Sequence, residues 1–339
     1  TYTEETFSVR ETRHGVIIND FTDRIREGFP LVALKRNRLL GRPLSIFREV
    51  YRSEMVEEAA DSFRQLRAFT GHWVLADSEG DIGYTGSAYI PNRNNHLGTL
   101  PVPGWLEKYE WDEFVVPDDL PWAVNPPEGY LGTANNQVTA PFLMPYPMNF
   151  DGSTSFRFRR IKEILERGPQ KEPAAAVMAK LQQDDTFTGW AFLRPRFFEA
   201  LLPLKDDSDP LVSTAAEKLL SWDGRNLDDS IEPTIFNIFQ IQLFTRALED
   251  EVSPRILHFY LSFYNLEPFV YDVLHNPENP AWDDIRTVGT TVGTEEYNEV
   301  LRSVFRESIS ICVKRYGRNI SKWTWDRAAM FTIEHPFGT

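Results

Sequence analysis

Apart from one helical stretch at 43–69, the spacing of apolar residues switches near Ser155, and that switch limits the folds open to this chain. Before it, apolar residues alternate in short runs broken by turn-forming residues; after it, they recur every three to four positions. Alternation puts one face of a strand on a core, and three-and-four spacing does the same for a helix. Strands and loops followed by a run of helices predict an α+β protein. Length agrees with more than one core, since 339 residues exceed the about 250–300 at which a single core stops growing. We therefore expect a β-rich part over 1–150 carrying one helical insert, and a mainly helical part over 151–339 that ends in a strand.

Within the first part, 6–10 and 15–18 predict a hairpin leading to a turn at Asn19-Asp20. The stretch 43–69 predicts a helical segment whose packing face is Met55, Val56, Ala59, Ala60, Phe63 and Leu66. Residues 73–77 and 82–84 predict two strands around a tight polar turn. From 91 to 147, abundant Pro, Gly, Asn and aromatic residues predict loops and short strands, the usual carriers of binding groups. Beyond Ser155, helices are expected over 156–167, 172–182, 195–202, 212–220, 235–248, 255–274 and 295–316, then a strand over 328–333.

Charge and composition exclude several function classes. Fifty acidic against 36 basic side chains give a net charge of −14, which repels the phosphates of nucleic acids and anionic lipids. The basic clusters at 34–42 and 157–162 read as solvated helix faces. No apolar run reaches the ~18 residues of a membrane span. A lone cysteine, Cys312, precludes an internal disulfide or a cysteine metal cluster, and its apolar surroundings mark it as a small core residue. The six histidines never fall at zinc-protease spacing, so no zinc chemistry is expected. Asp77, Glu79 and Asp81 alternate as in a calcium loop, but the sixth and twelfth places, which need Gly and Glu, hold Ile82 and Ala88. A polar hairpin turn is the expected reading. A nucleophile elbow, a phosphate loop and a dinucleotide fingerprint are all absent from the sequence. The first residues have neither a basic stretch nor an apolar leader and do not begin with Met, so the chain is expected to start inside a longer precursor.

A set of strings carries more information than any generic motif. In order, they are His14-Gly15-Val16-Ile17, Ala76-Asp77 with Gly80-Asp81-Ile82-Gly83-Tyr84, Pro101-Val102-Pro103-Gly104-Trp105, Asn125-Pro126-Pro127-Glu128-Gly129-Tyr130, Thr133-Ala134-Asn135-Asn136, Trp222-Asp223-Gly224 and His335-Pro336-Phe337-Gly338. Together they span nearly the whole chain and resemble the landmarks of the large subunit of the penicillin acylase family, whose members are N-terminal nucleophile hydrolases. The resemblance implies part of an αββα sandwich and hydrolysis of an N-acyl amide. A serine freed by self-cleavage would be the nucleophile and its own α-amine the base.

On that resemblance, Asn135 corresponds to the oxyanion-stabilising asparagine. Arg157, 22 positions further on, corresponds to the arginine that orients it. Gly71 corresponds to an acyl-pocket position and the companion aromatic position falls at Phe47 or Arg48, depending on register; Gly71, where penicillin G acylases carry an apolar side chain, puts phenylacetyl specificity in question. The nucleophile is expected upstream of Thr1, so this chain alone is expected to be inactive, and its partners are the remaining segments or small subunit of the same precursor. Catalysis needs no cofactor. The family's structural calcium is left to the complete protein, because a ligand position eleven places after Asn135 is Tyr146 here, and no metal ligand is assigned. The family habit of export implies a periplasmic or secreted location. The alternatives are an acylase for acyl-homoserine lactones or cephalosporins, and a binding or scaffolding homologue that has lost the nucleophile.

Overall fold

A computed structural model of the chain describes residues 8–22, 25, 28–37, 42–138, 155–167, 173–261, 267–282 and 294–330. The chain divides into two compact units, the first holding Thr1–Thr133 and Gln137–Phe150, the second Ala134–Asn136 and Asp151–Thr339.

In the first unit, β1 (Glu11–Thr12) and β2 (Gly15–Val16) form a short antiparallel hairpin. Asn19 and Asp20 lie in a single 3-10 turn, Ile18–Asp20. Gly15 adopts φ +137°, and a Cβ there would sit 2.2 Å from the Leu34 carbonyl oxygen, so no other residue fits without movement. The Leu34 N–H donates to Val16 O at 2.9 Å. That pairing explains a correction: 34–37, expected on a basic helix face, run alongside the hairpin without forming a helix.

The stretch 43–69 is two helices, α1 (Pro43–Val50) and α2 (Val56–Arg64). They are separated where the Ser53 hydroxyl donates to Glu49 O at 3.1 Å, while the Val56 N–H donates to Asp77 Oδ2 at 3.3 Å. The Asp77 contact satisfies a main-chain N–H that the start of α2 leaves open. Val56, Ala59, Ala60, Phe63 and Leu66 are buried as their spacing predicts, whereas Met55 is exposed. Three antiparallel strands follow in the order β3 (Gly71–Ala76), β4 (Ile82–Ser87), β7 (Trp122–Val124). A separate pair joins β5 (Pro91–Arg93) to β6 (Trp111–Phe114). Helix α2 packs directly on β4, and a Cβ on Gly83 would lie 2.2 Å from Val56 Cγ1.

The second unit is helical: α3 (Phe156–Leu165), α4 (Ala174–Gln182), α5 (Gly189–Leu201), α6 (Pro210–Ser221), α7 (Glu232–Leu248), α8 (Pro254–Leu261), α9 (Glu267–His275), α10 (Thr294–Tyr316) and α11 (Trp325–Ala328). Two boundaries differ from expectation. Helix α5 begins at Gly189 and carries Pro195 inside it. The missing N–H is tolerated because Ala191 and Pro195 lie on its exposed face, where water can serve the carbonyl. The strand expected from 328 is not formed at its start, since Ala328 closes α11 and Ala329-Met330 are not extended into a sheet. Residues 331–339, including the closing His335-Pro336-Phe337-Gly338 string, lie outside the described residues, as does 262–266 between α8 and α9.

The core of this unit forms where α5, α6, α7 and α10 meet, around the buried Trp190, Phe197, Phe239, Leu301 and Phe305. Cys312 is fully buried in it, and burial pushes its thiol up to about 12, so it is a packing residue and no nucleophile. Among the described residues, no helix is long and apolar enough to cross a membrane.

Candidate functional site

The segment Ala134–Asn136 is a tight turn that splits two like residues. Asn136 is 6% exposed, whereas the Asn135 side chain is at the surface. Asn135 has φ +59°, the left-handed region that asparagine enters more readily than most L residues. The Ala134 N–H donates to Asn136 Oδ1 at 2.9 Å. On the other side of the same residue, Arg157 Nη2 donates to Ala134 O at 3.1 Å and to Asn135 Oδ1 at 2.5 Å.

Arg157 stands in the first turn of α3, where the helix dipole disfavours a cation. Its placement there is offset by the two oxygens it serves. Because a guanidinium has donors only, it fixes which end of the Asn135 amide faces it: the oxygen points to Arg157 and the NH₂ points elsewhere. An N–H pair on an amide whose oxygen bonds a cation is a stronger donor, suited to an oxygen that gains negative charge.

The neighbouring arginines have other partners. Arg160 grips Asp184 through two bonds of 2.8 and 2.7 Å, and that bond holds the Asp184 carboxyl below its ordinary pKa against partial desolvation. Arg159 lies 5.9 Å from the Phe156 ring centroid. The Thr188 hydroxyl donates to Phe156 O at 2.8 Å, tying the start of α3 to the entrance of α5. Gly224 O accepts the Phe187 N–H at 2.8 Å, so the Trp222-Asp223-Gly224 string braces that same entrance.

Gly71 and Phe47, in the first unit, meet through Trp73. A Cβ on Gly71 would lie 3.5 Å from the Trp73 ring, in ordinary contact. The Phe47 ring stands edge-on to Trp73, with centroids 5.9 Å apart, and edge-on to Phe63 at the same distance. Phe63 stacks on Trp73 at 4.0 Å. Trp73 Nε1 donates to Ser87 Oγ at 2.8 Å, which locks the ring plane. The sequence offered no sign of this aromatic cluster, because it joins α1, α2 and β3 across turns.

The Asp77 turn closes on itself. Asp77 Oδ1 accepts the N–H groups of Glu79, Gly80 and Asp81 at 3.0, 3.1 and 3.0 Å. Desolvation raises the Asp77 pKa, but these donors together with the Val56 N–H outweigh it and hold the carboxyl below its ordinary value. Asn125 then clasps the turn, donating to Asp81 Oδ1 at 2.8 Å and accepting the Ile82 N–H at 3.0 Å. A carboxylate occupied by its own backbone is a turn device, as the EF-hand mismatch predicts. Among the described residues no three His, Cys, Asp or Glu side chains gather as a metal site, and Tyr146 lies outside them.

A third cluster joins two of the family-like strings. Glu110 accepts Lys35 Nζ at 2.7 Å, His14 Nε2 at 2.7 Å and Arg13 Nη2 at 2.9 Å. Lys35 and His14 pull its carboxyl down to about 2. Arg13 also donates to Gly104 O at 3.0 Å, so it links the Pro103-Gly104 string to the carboxylate that His14 contacts.

This backbone has a known counterpart. A thermostable penicillin G acylase from Alcaligenes faecalis matches it with a TM-score of 0.68 and 18% identity over 93% of this chain and 59% of that one. The chain therefore has the fold of the N-terminal nucleophile hydrolases, mixed helix and sheet as the order of its elements predicts. The family model described as penicillin amidase matches residues 2–339, and the chain belongs to that family. Relatives include an acyl-homoserine lactone acylase QuiP from Pseudomonas fluorescens, 28% identical over 94% of this chain and 40% of that protein. The penicillin acylase 2 proenzyme of a Pseudomonas species is 29% identical over 74% of this chain and 30% of its own length. The chain thus spans about 40% of the length of the curated relatives it matches first.

Proposed function

We propose that this chain supplies the oxyanion-stabilising part of an N-acyl amide hydrolase. Asn135 Nδ2 is the donor to the tetrahedral oxyanion, and Arg157 holds it in place. The observation that carries this reading is the 2.5 Å bond from Arg157 to Asn135 Oδ1 at a surface turn. In a site that excludes water, such a fixed donor lowers the barrier by about 2.7–4 kcal/mol.

The nucleophile is a serine on another segment of a longer precursor, at an N-terminus created by self-cleavage. Its α-amine, with a pKa of ~7.7–8.0, takes the hydroxyl proton near neutral pH and returns it to the leaving amine. No cofactor enters these steps, and this chain by itself is inactive. Its partners are the other segments of its precursor, and its location is periplasmic or secreted.

Acyl-homoserine lactones are the first substrate class to test, given that several relatives are named acyl-homoserine lactone acylases and that position 71 is glycine. Phe47 and Gly71 are the positions that the family resemblance assigns to acyl-group selection. The complete protein is to be given a series of N-acyl-homoserine lactones, penicillin G and a cephalosporin, and the freed amine measured. Amine release by the wild type that is lost in Asn135→Ala supports the reading. No release from any of these, or undiminished release by the variant, overturns it.

A further inference from the structure

The Ala134–Asn136 turn has a second asparagine whose role is separate from the first. Asn136 is buried, and its Oδ1 accepts the Ala134 N–H at 2.9 Å. Arg157 holds the same residue from its carbonyl side at 3.1 Å. Ala134 is thus fixed at both of its peptide groups, by a neutral amide on one and a cation on the other. Asn135 follows directly in a left-handed conformation, φ +59°, which costs energy for any residue with a Cβ and persists only where its surroundings enforce it. The direction of the Asn135 side chain depends on that backbone, because Arg157 can hold the amide oxygen but cannot by itself set φ.

We propose that Asn136 is a positioning residue for the hydrolysis, its amide oxygen holding the left-handed turn that aims the Asn135 N–H donor. Asn136 touches no reacting atom in this scheme, and the inference rests on the reading of Asn135 as oxyanion donor. It follows that an alanine at 136 leaves the donor present and misaimed. A donor displaced by a fraction of an ångström serves the ground state nearly as well as before and the transition state less well.

The test uses the complete matured protein and N-octanoyl-homoserine lactone, or penicillin G if that is the better substrate. Asn136→Ala is expected to lower kcat by roughly 10- to 100-fold while KM stays within about twofold, the mark of an interaction felt in the transition state. Asn136→Asp, which keeps the acceptor oxygen, is expected to recover most of the loss. The double variant with Asn135→Ala should be no slower than Asn135→Ala alone, because a misaimed donor that has been removed cannot be lost again. An Asn136→Ala protein with normal kcat beside a crippled Asn135→Ala overturns the positioning role alone. An Asn135→Ala protein with full turnover overturns the parent reading as well. Additive losses in the double variant, or failure of Asn136→Ala to fold where Asn135→Ala folds, assign Asn136 to the scaffold and also overturn the proposal.

Discussion

Two polar turns in this molecule differ in what they do with their side chains. At Asp77–Asp81 the carboxylate spends its oxygens on the backbone that follows it and on the first N–H of α2. At Ala134–Asn136 the exposed amide gives its oxygen to a cation 22 residues away, while its buried neighbour closes the turn. The first arrangement turns the side chain back on its own backbone and is complete when the chain folds. The second fixes the acceptor end of a surface amide and so directs its donor end, which is how a structural bond can prepare a chemical one.

The sharpest way to break this contrast is to delete each group in the complete protein. Asn135→Ala is expected to lower kcat by roughly 10²–10³-fold with little change in melting temperature, and Asp77→Asn to leave kcat unchanged while lowering the melting temperature. Turnover measured beside thermal unfolding decides it; a matched response of the two variants would erase the distinction. Next in size, Gly83→Ala forces a methyl against Val56 Cγ1 under the Asp77 turn, and overpacking of this kind costs about 1–3 kcal/mol. Urea unfolding followed by tryptophan fluorescence should show a lower midpoint with an unchanged slope. The smallest effect concerns acid. The folded-state pKa of Glu110 is depressed to about 2, below the ordinary ~4.3, so its contribution is complete above the ordinary value and lost as pH falls toward 2. Glu110→Gln should therefore be less stable than the parent at neutral pH and converge with it between pH ~4 and ~2, in melts followed across that range.

Much of the scaffold was legible because it is local. The three-and-four spacing of Val56, Ala59, Ala60 and Phe63 and of the helices after Ser155 follows from helix geometry alone, and the Asp77 turn from the competition of a short carboxylate for nearby N–H groups. What escaped was long-range. Nothing near Leu34 says that its N–H will meet Val16, and so a basic helix face was expected where the chain runs extended. The break between α1 and α2 depends on a carboxylate 21 residues away. At the site, Asn135 and Arg157 could be named only through family resemblance, since an Asn-Asn pair and an arginine are common surface residues. Asn136 was passed over because burial distinguishes it from its twin, and burial is not written in residue type. Several of the family-like strings prove to be scaffolding: Gly15, Gly83 and Gly104 each lie where a Cβ would press on a neighbour, and Asn125 clasps Asp81.

One small arrangement has a wider effect on how this region holds together. The Asp77 side chain reaches both the hairpin turn after β3 and the leading amide of α2. The leading amide of α2 gains its bond only when the turn has placed Asp77, which couples the opening of the two. Helix, turn and paired strands in that stretch are therefore expected to exchange their amide protons as a single foldon instead of fraying piece by piece.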